Sequence, residues 1–115
     1  MAKIKTGELT GPALDWAVQE IEYQRMIAEG EHVKQWALDD HRAGASISPY
    51  STDWLWGGQI LEREGISIYR MTSDWSAAYI PSGAAQDGPT PLIAAMRAYV
   101  AFKRGNEVDV PEELM

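Results

Sequence analysis

The fold class is decided by the stretch TPLIAAMRAYVAFKRG, residues 90–105, which carries a complete helix signal. Thr90 followed by Pro91 is typical of a helix start, because threonine caps free backbone N–H groups and proline is tolerated in the first turn. Lys103 and Arg104 suit the last turn, and Gly105 ends the helix. The stretch therefore predicts an amphipathic helix with a buried stripe consisting of Leu92, Ala95, Met96, Tyr99 and Val100.

A β-hairpin is predicted directly upstream of this helix. Residues 65–71 alternate and place Ile66, Ile68 and Arg70 on one face. Turn residues follow at 72–74, and residues 75–80 supply the partner strand. Residues 81–88 are polar and small, and they predict a loop.

A further helix is predicted from Gly11 to about Glu29, with Thr10 as its N-cap and Gly30 as its stop. We expect its apolar face to be buried and three of its glutamates to face water. The buried face consists of Leu14, Ala17, Val18, Ile21 and the stem of Arg25, and the glutamates are Glu20, Glu22 and Glu29. Trp16 is predicted to lie in the core or at its edge.

Residues 31–58 do not give a single prediction. Residues 33–38 fit a short strand or a helix extension, and residues 41–56 fit an ordered loop rich in Ser, Gly, Asp and Pro. Residues 60–61 fit a helical turn or a strand start. The whole pattern predicts an α+β fold with two helices packed on a small antiparallel sheet, in the order α, loop, β-hairpin, α, acidic tail. We expect a single domain over residues 1–105 and an acidic C-terminal tail over residues 106–115.

The composition excludes several classes of function. With 115 residues the chain has room for one modest core, and with no cysteine it lacks a disulfide scaffold, a cysteine-ligated zinc site and a thiol nucleophile. A net charge of −7 argues against direct coating of nucleic acid, which needs a positive surface. No apolar run approaches the roughly 20 residues of a membrane span, so we expect no membrane insertion.

The charges and the aromatic residues are unevenly distributed. Residues 105–115 carry four acidic residues and no basic one, whereas residues 60–104 carry four acidic and five basic residues. Residues 60–104 therefore permit an anion-binding site, although the net negative charge of the whole chain disfavours one. Five Trp and five Tyr stand against a single Phe, and three of the tryptophans are Trp54, Trp56 and Trp75.

The segment 50–58 carries the clearest indication of a binding site. Its aromatic side chains would stack on a planar ligand, its hydroxyls would orient that ligand, and its two glycines would let backbone N–H groups approach. The segment fits a structural loop anchored by tryptophan about equally well. The residues concerned are Tyr50, Ser51, Thr52, Trp54, Trp56, Gly57 and Gly58.

An anion site at the start of the second strong helix is another hypothesis. Residues 88–90 precede a helix N-terminus, and Arg63, Arg70 or Arg97 would supply positive charge. Ordinary helix capping explains Thr90 without a ligand and is the favoured interpretation. Residues 62–64, Glu-Arg-Glu, would supply a general acid or an ion-paired anchor, but a solvated surface triplet is favoured.

Neither a metal site nor a catalytic centre is predicted. Four residues of the types that bind metals occur at a spacing that matches no zinc motif and favours an exposed loop: His32, Asp39, Asp40 and His41. A hydrolytic triad would need a geometry that no local motif supports, whichever residues are chosen from Ser48, Ser51, Asp53 and His41. We therefore name no catalytic residue, metal or cofactor. An enzyme is kept as a third alternative that rests on Glu62, Glu64, Asp53 and His41, which form no recognised arrangement.

Several blocks of the sequence resemble NinX-like proteins of bacteriophages and prophages. They are residues 1–18 (MAKIKTGELTGPALDWAV), residues 50–54 (YSTDW) with Gly57 and Gly58, residues 60–66 (ILEREGI), residues 88–100 (GPTPLIAAMRAYV) and the ending 107–114 with Val110-Pro111-Glu112-Glu113. Residues 30–47 and 81–87 match poorly and are similar to variable loops. The resemblance implies an accessory phage protein in the cytoplasm of the bacterial host, dispensable for the virion and without an established activity.

We expect the protein to act by binding and not by catalysis in the infected host. The leading hypothesis is sequestration of a small nucleotide-type ligand, with a homodimer completing the site. The alternative is a protein–protein adaptor or an inhibitor of a host factor that uses exposed tryptophan and the acidic tail. The predicted ligand-binding residues are Tyr50, Ser51, Thr52, Trp54, Gly57, Gly58, Arg63, Trp75, Thr90 and Arg97.

Overall fold

A computed structural model describes residues 1–79 and 82–115, and over these residues the chain forms four α-helices and five short β-strands. The helices are α1 (Gly11–Ala28), α2 (Gln35–Arg42), α3 (Trp54–Glu64) and α4 (Pro91–Arg104). The strands are β1 (Ala2–Lys5), β2 (Ser67–Arg70), β3 (Trp75–Tyr79), β4 (Ala84–Gly88) and β5 (Glu107–Val110), and 3₁₀ turns lie at Thr6–Glu8 and Glu112–Leu114. The predicted α+β class is confirmed.

Strands β2, β3 and β4 form one antiparallel sheet. The predicted hairpin is confirmed, because β2 pairs with β3 and Arg70 lies opposite Trp75 at its closed end. The loop prediction was wrong for residues 84–88, because these residues form β4. Their sequence, AAQDG, has weak β-propensity, so the strand depends on the ladder of partners that β3 offers it. Ile80 and Pro81, where the predicted strand ends and the predicted loop begins, lie outside the described residues.

Strands β1 and β5 form a second antiparallel sheet at the two ends of the chain. The expected acidic tail is therefore not a tail over residues 107–110, and the side chain of Val110 is fully buried. The register explains why an acidic segment pairs here, because Lys3 faces Asp109 and Lys5 faces Glu107. Opposite charges across an antiparallel pair are stabilising.

The helices α1 and α4 have the predicted bounds and buried stripes. All five predicted positions of the α4 stripe are buried, and the Thr90 hydroxyl accepts the Ile93 N–H at 3.1 Å. Thr10 lies at the N-cap position of α1, but its side chain makes no capping hydrogen bond. The expectation that Glu22 faces water was wrong, because its side chain is buried.

Residues 31–58 contain a helix and the start of another. The helix α2 overlaps residues 33–38, whose sequence fits either a short strand or a helix extension. The helix α3 begins at Trp54 and extends to Glu64. Asp53 caps α3 at its start, and Gly65 ends it in the left-handed conformation with φ of 68°. The two glycines inside α3 and the exposed residues of its first turn weaken the helical pattern in the sequence.

The core is organised around α4. This helix packs against the β2–β3–β4 sheet and also contacts α1 and α3, whereas α1 packs on α4, α2 and β5. The predicted arrangement of two helices on one sheet therefore holds for α4 and not for α1. The largest fully buried side chains are Tyr99, Leu9, Leu14, Ile60 and Met96. Within the described ranges, no helix is long and apolar enough to cross a bilayer.

Candidate functional site

The ten residues predicted to bind a ligand lie in several separate places. Four of them line one pocket of about 230 Å³ between the segment before α3 and the start of α4. We call this cavity the Trp54 pocket. Its lining consists of the predicted residues Ser51, Thr52, Trp54 and Thr90, completed by Pro91, Leu92 and Ile93. No arginine is among these lining residues.

Tyr50 and Gly57 hold α3 against the segment that precedes it, whereas Gly58 lies next to Trp54 of the same helix. Tyr50 is buried, and its ring packs edge-on against Trp56 with the centroids 5.7 Å apart. Burial raises the pKa of Tyr50 to about 12, and the nearby charge of Glu22 adds to this effect. A Cβ at Gly57 would lie 2.1 Å from the Tyr50 carbonyl oxygen, so this close approach requires glycine.

Arg63 is bound by the protein itself. Its Nη1 and Nη2 donate to the two carboxylate oxygens of Glu22 at 3.0 and 2.9 Å, and Nη2 also donates to the Tyr99 hydroxyl at 3.0 Å. The Tyr99 hydroxyl in turn donates to Glu22 at 2.7 Å. Such a bidentate pair occupies the face of the guanidinium that an external phosphate would need.

The buried carboxylate of Glu22 stays ionised because of these partners. Burial by itself would raise the pKa of Glu22. The hydrogen bonds from Arg63 and Tyr99, together with the positive charges of Arg63 and Arg25, outweigh burial and hold the pKa below its ordinary value. The cluster is thus a satisfied ion-pair network that joins α1, α3 and α4.

Arg97 and Trp75 lie away from the Trp54 pocket. Arg97 donates from Nε to the Leu9 carbonyl oxygen at 2.7 Å and from Nη1 to the Asp87 carbonyl oxygen at 2.9 Å, and burial lowers its pKa. It lines a different cavity of about 450 Å³. Trp75 is half-buried on β3, and the guanidinium carbon of Arg70 lies 5.4 Å from its ring centroid.

The N-terminus of α4 offers little to an anion. The Thr90 hydroxyl accepts the Ile93 N–H, the Thr90 carbonyl oxygen accepts the Ala94 N–H at 3.1 Å, and Pro91 has no N–H group. In the part of the chain that the structure describes, Leu92 is left with the one unpaired N–H among these first positions. Phosphate sites at helix N-termini use several such donors.

Three consecutive large apolar side chains project from the first turn of α3. The exposed fractions are 52% for Trp54, 67% for Leu55 and 42% for Trp56. The Asp53 carboxylate caps this turn, accepting the Leu55 N–H at 2.9 Å. We call these three side chains the Trp54–Trp56 surface. It borders the Trp54 pocket, since Trp54 belongs to both.

The platform under this surface is rigidly held. Asp15 on α1 accepts the Ser51 N–H at 2.7 Å, and both residues are buried. Burial raises the pKa of Asp15, although the hydrogen bond from the Ser51 N–H acts in the opposite direction. The N–H groups of Trp56 and Gly57 both donate to the Asp53 carbonyl oxygen, at 3.0 and 2.9 Å. The segment before α3 is therefore tied to α1 on one side and to α3 on the other.

A buried histidine is the main feature that sequence reasoning missed. The prediction that His41 lies in an exposed loop was wrong, because His41 belongs to α2 and is 3% exposed. Its ring stacks on Trp16 with the centroids 4.6 Å apart, and its Nε2 lies 2.6 Å from a Glu20 carboxylate oxygen. The hydrogen bond with His41 lowers the pKa of Glu20. The feature of the sequence that could have indicated the position of His41 is that Trp16, Glu20 and Tyr23 share one face of α1.

The other metal-ligand types do not join His41 in a site. Over residues 1–79 and 82–115, no group of three or more His, Cys, Asp or Glu side chains is placed to hold a metal ion. Asp39 instead accepts hydrogen bonds from Gln35 and Arg42 on its own helix, and Asp40 accepts one from Ser46. These acidic side chains stabilise the exposed side of α2 and the turn that follows it.

Comparison with known proteins gives the chain its family. The family model described as bacteriophage P22, NinX, matches residues 5–103. The matched range contains the Trp54 pocket and the Trp54–Trp56 surface and reaches into the last turn of α4. No curated protein matches the chain significantly. Because the family model covers most of the sequence, the chain belongs to the bacteriophage P22 NinX family.

Proposed function

We propose that this NinX-family protein acts by binding a protein partner through the Trp54–Trp56 surface. The observation that carries the proposal is the exposure of three adjacent large apolar side chains on a helix turn that the protein holds rigidly. Exposed apolar side chains that occur singly need no explanation, but three of them within one helical turn are typical of an interaction site. Tryptophan is also among the residues that contribute most to binding energy at protein interfaces.

The preorganisation of this turn supports the proposal. Trp56 packs edge-on against buried Tyr50, and Gly57 fits closely over the Tyr50 carbonyl oxygen. The Asp53 cap fixes the first turn of α3. Side chains that are already ordered lose less conformational entropy on binding, so more of their burial appears as affinity.

The chemistry of the surface indicates the kind of partner. The Trp54–Trp56 surface would fill an apolar groove, and the Trp54 pocket beside it has room for an apolar side chain from that partner. Asp53 and Glu62, both exposed on or next to α3, and the net charge of −7 favour basic residues around the groove. A host protein with an apolar groove and a basic rim therefore fits best, as an adaptor or inhibitor would require.

Sequestration of a nucleotide-type ligand has less support from the geometry. The Trp54 pocket, at about 230 Å³, lies below the usual range of about 300–1,000 Å³ for small-molecule sites. Arg63 and Arg97 are engaged with the protein itself, and the α4 N-terminus retains one free donor at Leu92. A homodimer built on the same surface is the remaining alternative. The two experiments below separate partner binding, ligand sequestration and homodimer formation.

Site-specific photo-crosslinking in host cells that carry the phage tests the proposal. A photoreactive residue at position 55 is expected to capture one distinct host protein, and the same residue at Ile27, which is 51% exposed on α1, is expected to capture none. Trp54→Ala should abolish capture, whereas Trp36→Ala, at a tryptophan 60% exposed on α2, should not. Crosslinks to a second copy alone would identify a homodimer and contradict the proposal.

A thermal-shift panel of nucleotides and cyclic nucleotides completes the test. A ligand that binds only the native protein raises the melting temperature by mass action. We expect no member of the panel to raise it. A rise that disappears in the Trp54→Ala variant would favour ligand sequestration instead of partner binding.

A further inference from the structure

A cavity of about 460 Å³ runs along one side of β5. Its β5 wall consists of three consecutive residues, Glu107, Val108 and Asp109. Because consecutive side chains of a strand point to opposite faces, a cavity touched by all three lies at the edge of the strand. We call this cavity the β5 groove. Its opposite wall is α1, the last residues of α2 and α4 lie at its ends, and the N-terminal residue also borders it. These lining residues are Met1, Trp16, Ala17, Glu20, Arg42 and Arg104.

Among the described residues, no strand lies beside the edge of β5 that faces away from β1. The Thr6 N–H donates to the Asn106 carbonyl oxygen at 2.8 Å, which makes this position a hydrogen-bonded pair of the antiparallel ladder. Such pairs alternate with pairs whose N–H and C=O groups point outward. In this register, the backbone N–H and C=O groups that point outward, away from β1, are those of Glu107 and Asp109 on β5. Across the described residues no hydrogen bond reaches these groups.

The charges at this edge favour a basic occupant. Glu107 and Asp109 are exposed and form no ion pair within the described ranges. The other charged groups that line the groove have partners: Glu20 is paired with His41 and Arg42 with Asp39, the charge of Arg104 acts on Glu20, and the Met1 ammonium lies 3.7 Å from Glu112. The strand already paired with β5 shows the complementary pattern, because β1 places lysine opposite each of these two acids. A strand added to the free edge would meet the same two carboxylates.

The same charges disfavour pairing between like edges of two copies. Two β5 edges would bring Glu107 and Asp109 of both chains together, and two β1 edges would bring together Lys3 and Lys5. Like charges opposite each other on paired strands are destabilising, and charged edges are a common protection against such self-association. Pairing of the β5 edge with the β1 edge of a second copy would match lysines to these acids, but it joins unlike edges, and such a contact continues into a filament unless it closes into a ring. The occupant is therefore an extended segment of a different protein, and a solution mass of the free protein above that of one chain would overturn this assignment.

The geometry points to a strand-addition site: the β5 groove binds an extended segment of a partner protein in which basic and apolar residues alternate. The segment pairs its backbone with the outward N–H and C=O groups of Glu107 and Asp109, as in other cases of β-augmentation. Its basic side chains lie by the two carboxylates, and its apolar side chains face Ala17 and Val108 in the groove. This site is independent of the Trp54–Trp56 surface, since β5 follows the C-terminus of α4 and Trp54 lies at its N-terminus.

Amide hydrogen exchange of the free protein first tests which residues of β5 direct their N–H groups toward β1 and which direct them outward. We expect the amides of Glu107 and Asp109 to exchange fast and those of Val108 and Val110 to be protected, because only the latter donate to β1. The opposite pattern would overturn the proposal, since the free edge would then present other groups. This result needs no ligand and no variant.

Binding is then measured with the capped peptide Lys-Val-Lys-Val-Lys-Val by NMR titration of the backbone amides. We expect shifts confined to the β5 groove and slower exchange at Glu107 and Asp109. The peptide Glu-Val-Glu-Val-Glu-Val and a fully N-methylated Lys-Val peptide should not bind. Equal binding of the acidic peptide, shifts located at Trp54, or no binding of the basic peptide at millimolar concentration would overturn the proposal.

Two proline variants form a matched pair on opposite edges of the same sheet. Asp109→Pro removes an outward N–H on the free edge of β5, and Lys3→Pro removes the outward N–H on the β1 edge. We expect Asp109→Pro to weaken peptide binding about fivefold or more, the effect of losing one hydrogen bond, and Lys3→Pro to leave it unchanged. Equal affinities would contradict the proposal. If Asp109→Pro does not fold, two other measurements decide. Asp109→Asn is expected to weaken binding by loss of charge, and the N-methylated peptide should not bind.

Discussion

The backbone of Gly57 lies so close to the carbonyl oxygen of Tyr50 that a Cβ at position 57 would fall 2.1 Å from that oxygen. The same Cβ would lie 2.8 Å from Cδ1 of Leu92 on α4. This contact seats the first turn of α3 directly on the segment before it, and three large apolar side chains of that turn are left exposed. The glycine that the sequence indicated as a ligand contact thus has a packing role.

Gly57→Ala should destabilise the protein by about 2 kcal/mol or more, because neither contacting group can move freely in the packed interior. The neighbouring variant Gly58→Ala is the matched control. Its Cβ meets only the Trp54 ring, at 3.3 Å, and alanine favours the helix over glycine, so we expect a change within about 1 kcal/mol. Urea unfolding measures both variants, and equal losses would show that the Gly57 contact is not special.

Glu22→Gln should cost about 2 kcal/mol of unfolding free energy. The substitution removes the charge that pairs with Arg63 and Tyr99 in a largely buried network, and the partial exposure of Arg63 moderates the loss. Glu29→Gln on the same helix removes an exposed partner of Arg25 and should cost less than about 0.5 kcal/mol. Equal urea midpoints for the two variants would contradict the role assigned to Glu22.

His41→Ala should destabilise the protein by about 2–3 kcal/mol, whereas His32→Ala at an exposed position should have little effect. The truncation removes the stacking on Trp16 and leaves Gln19 and Glu20 without their imidazole partner. The Ser48 N–H donates to Gln19 Oε1, so the Gln19 amide nitrogen faces His41 Nδ1 and donates to it. Nitrogen NMR shifts should accordingly show the proton of His41 on Nε2, and a proton on Nδ1 would contradict this assignment.

Acid should destabilise the fold through Glu20 and Glu22. Both carboxyls have pKa values lowered in the native state from the ordinary value of 4.5, so they contribute stability above that pH. This contribution is lost as the pH falls through their native pKa values. Melting temperatures measured from pH 7 to pH 3 should therefore drop below about pH 4.5, and the drop should be smaller in Glu22→Gln.

Asp15 has the opposite linkage. Its native pKa is raised from 3.8 by burial, so the stability it contributes is present below that pH and is lost as the pH rises through the native pKa. Asp15→Asn, whose amide oxygen can still accept the Ser51 N–H, should raise the melting temperature at pH 7 by about 2 °C, and this gain should vanish near pH 3. A lower melting temperature at pH 7 would show that the charge-assisted hydrogen bond outweighs burial.

The parts of the fold that the sequence predicted are those with local signals. The apolar stripes of α1 and α4 lie within the helices themselves, the Thr90 cap lies directly before α4, and the β2–β3 hairpin has its own turn. The missed parts depend on distant partners. β4 forms only because β3 pairs with it, and β5 pairs with β1 at the other end of the chain.

The candidate site was predictable to a similar degree. Ser51, Thr52, Trp54 and Thr90 do share one pocket, but their sequence did not show that it is small and lacks arginine. Arg63 is paired with Glu22, 41 positions away, and Arg97 is bound by a main-chain oxygen of Leu9 that no residue type reveals. His41 was misplaced because its partners lie on α1, 21 and more positions earlier.

The Trp54–Trp56 surface is the proposed binding site for a protein partner. The most direct test is the yield of the host-protein crosslink from position 55 in the wild-type background and in the Trp54→Ala and Trp36→Ala backgrounds. Loss of a hot-spot tryptophan costs about 2 kcal/mol or more, so Trp54→Ala should lower the yield at least about tenfold while the melting temperature stays within about 2 °C. Trp36→Ala should give the wild-type yield. A yield unaffected by Trp54→Ala would contradict the claim.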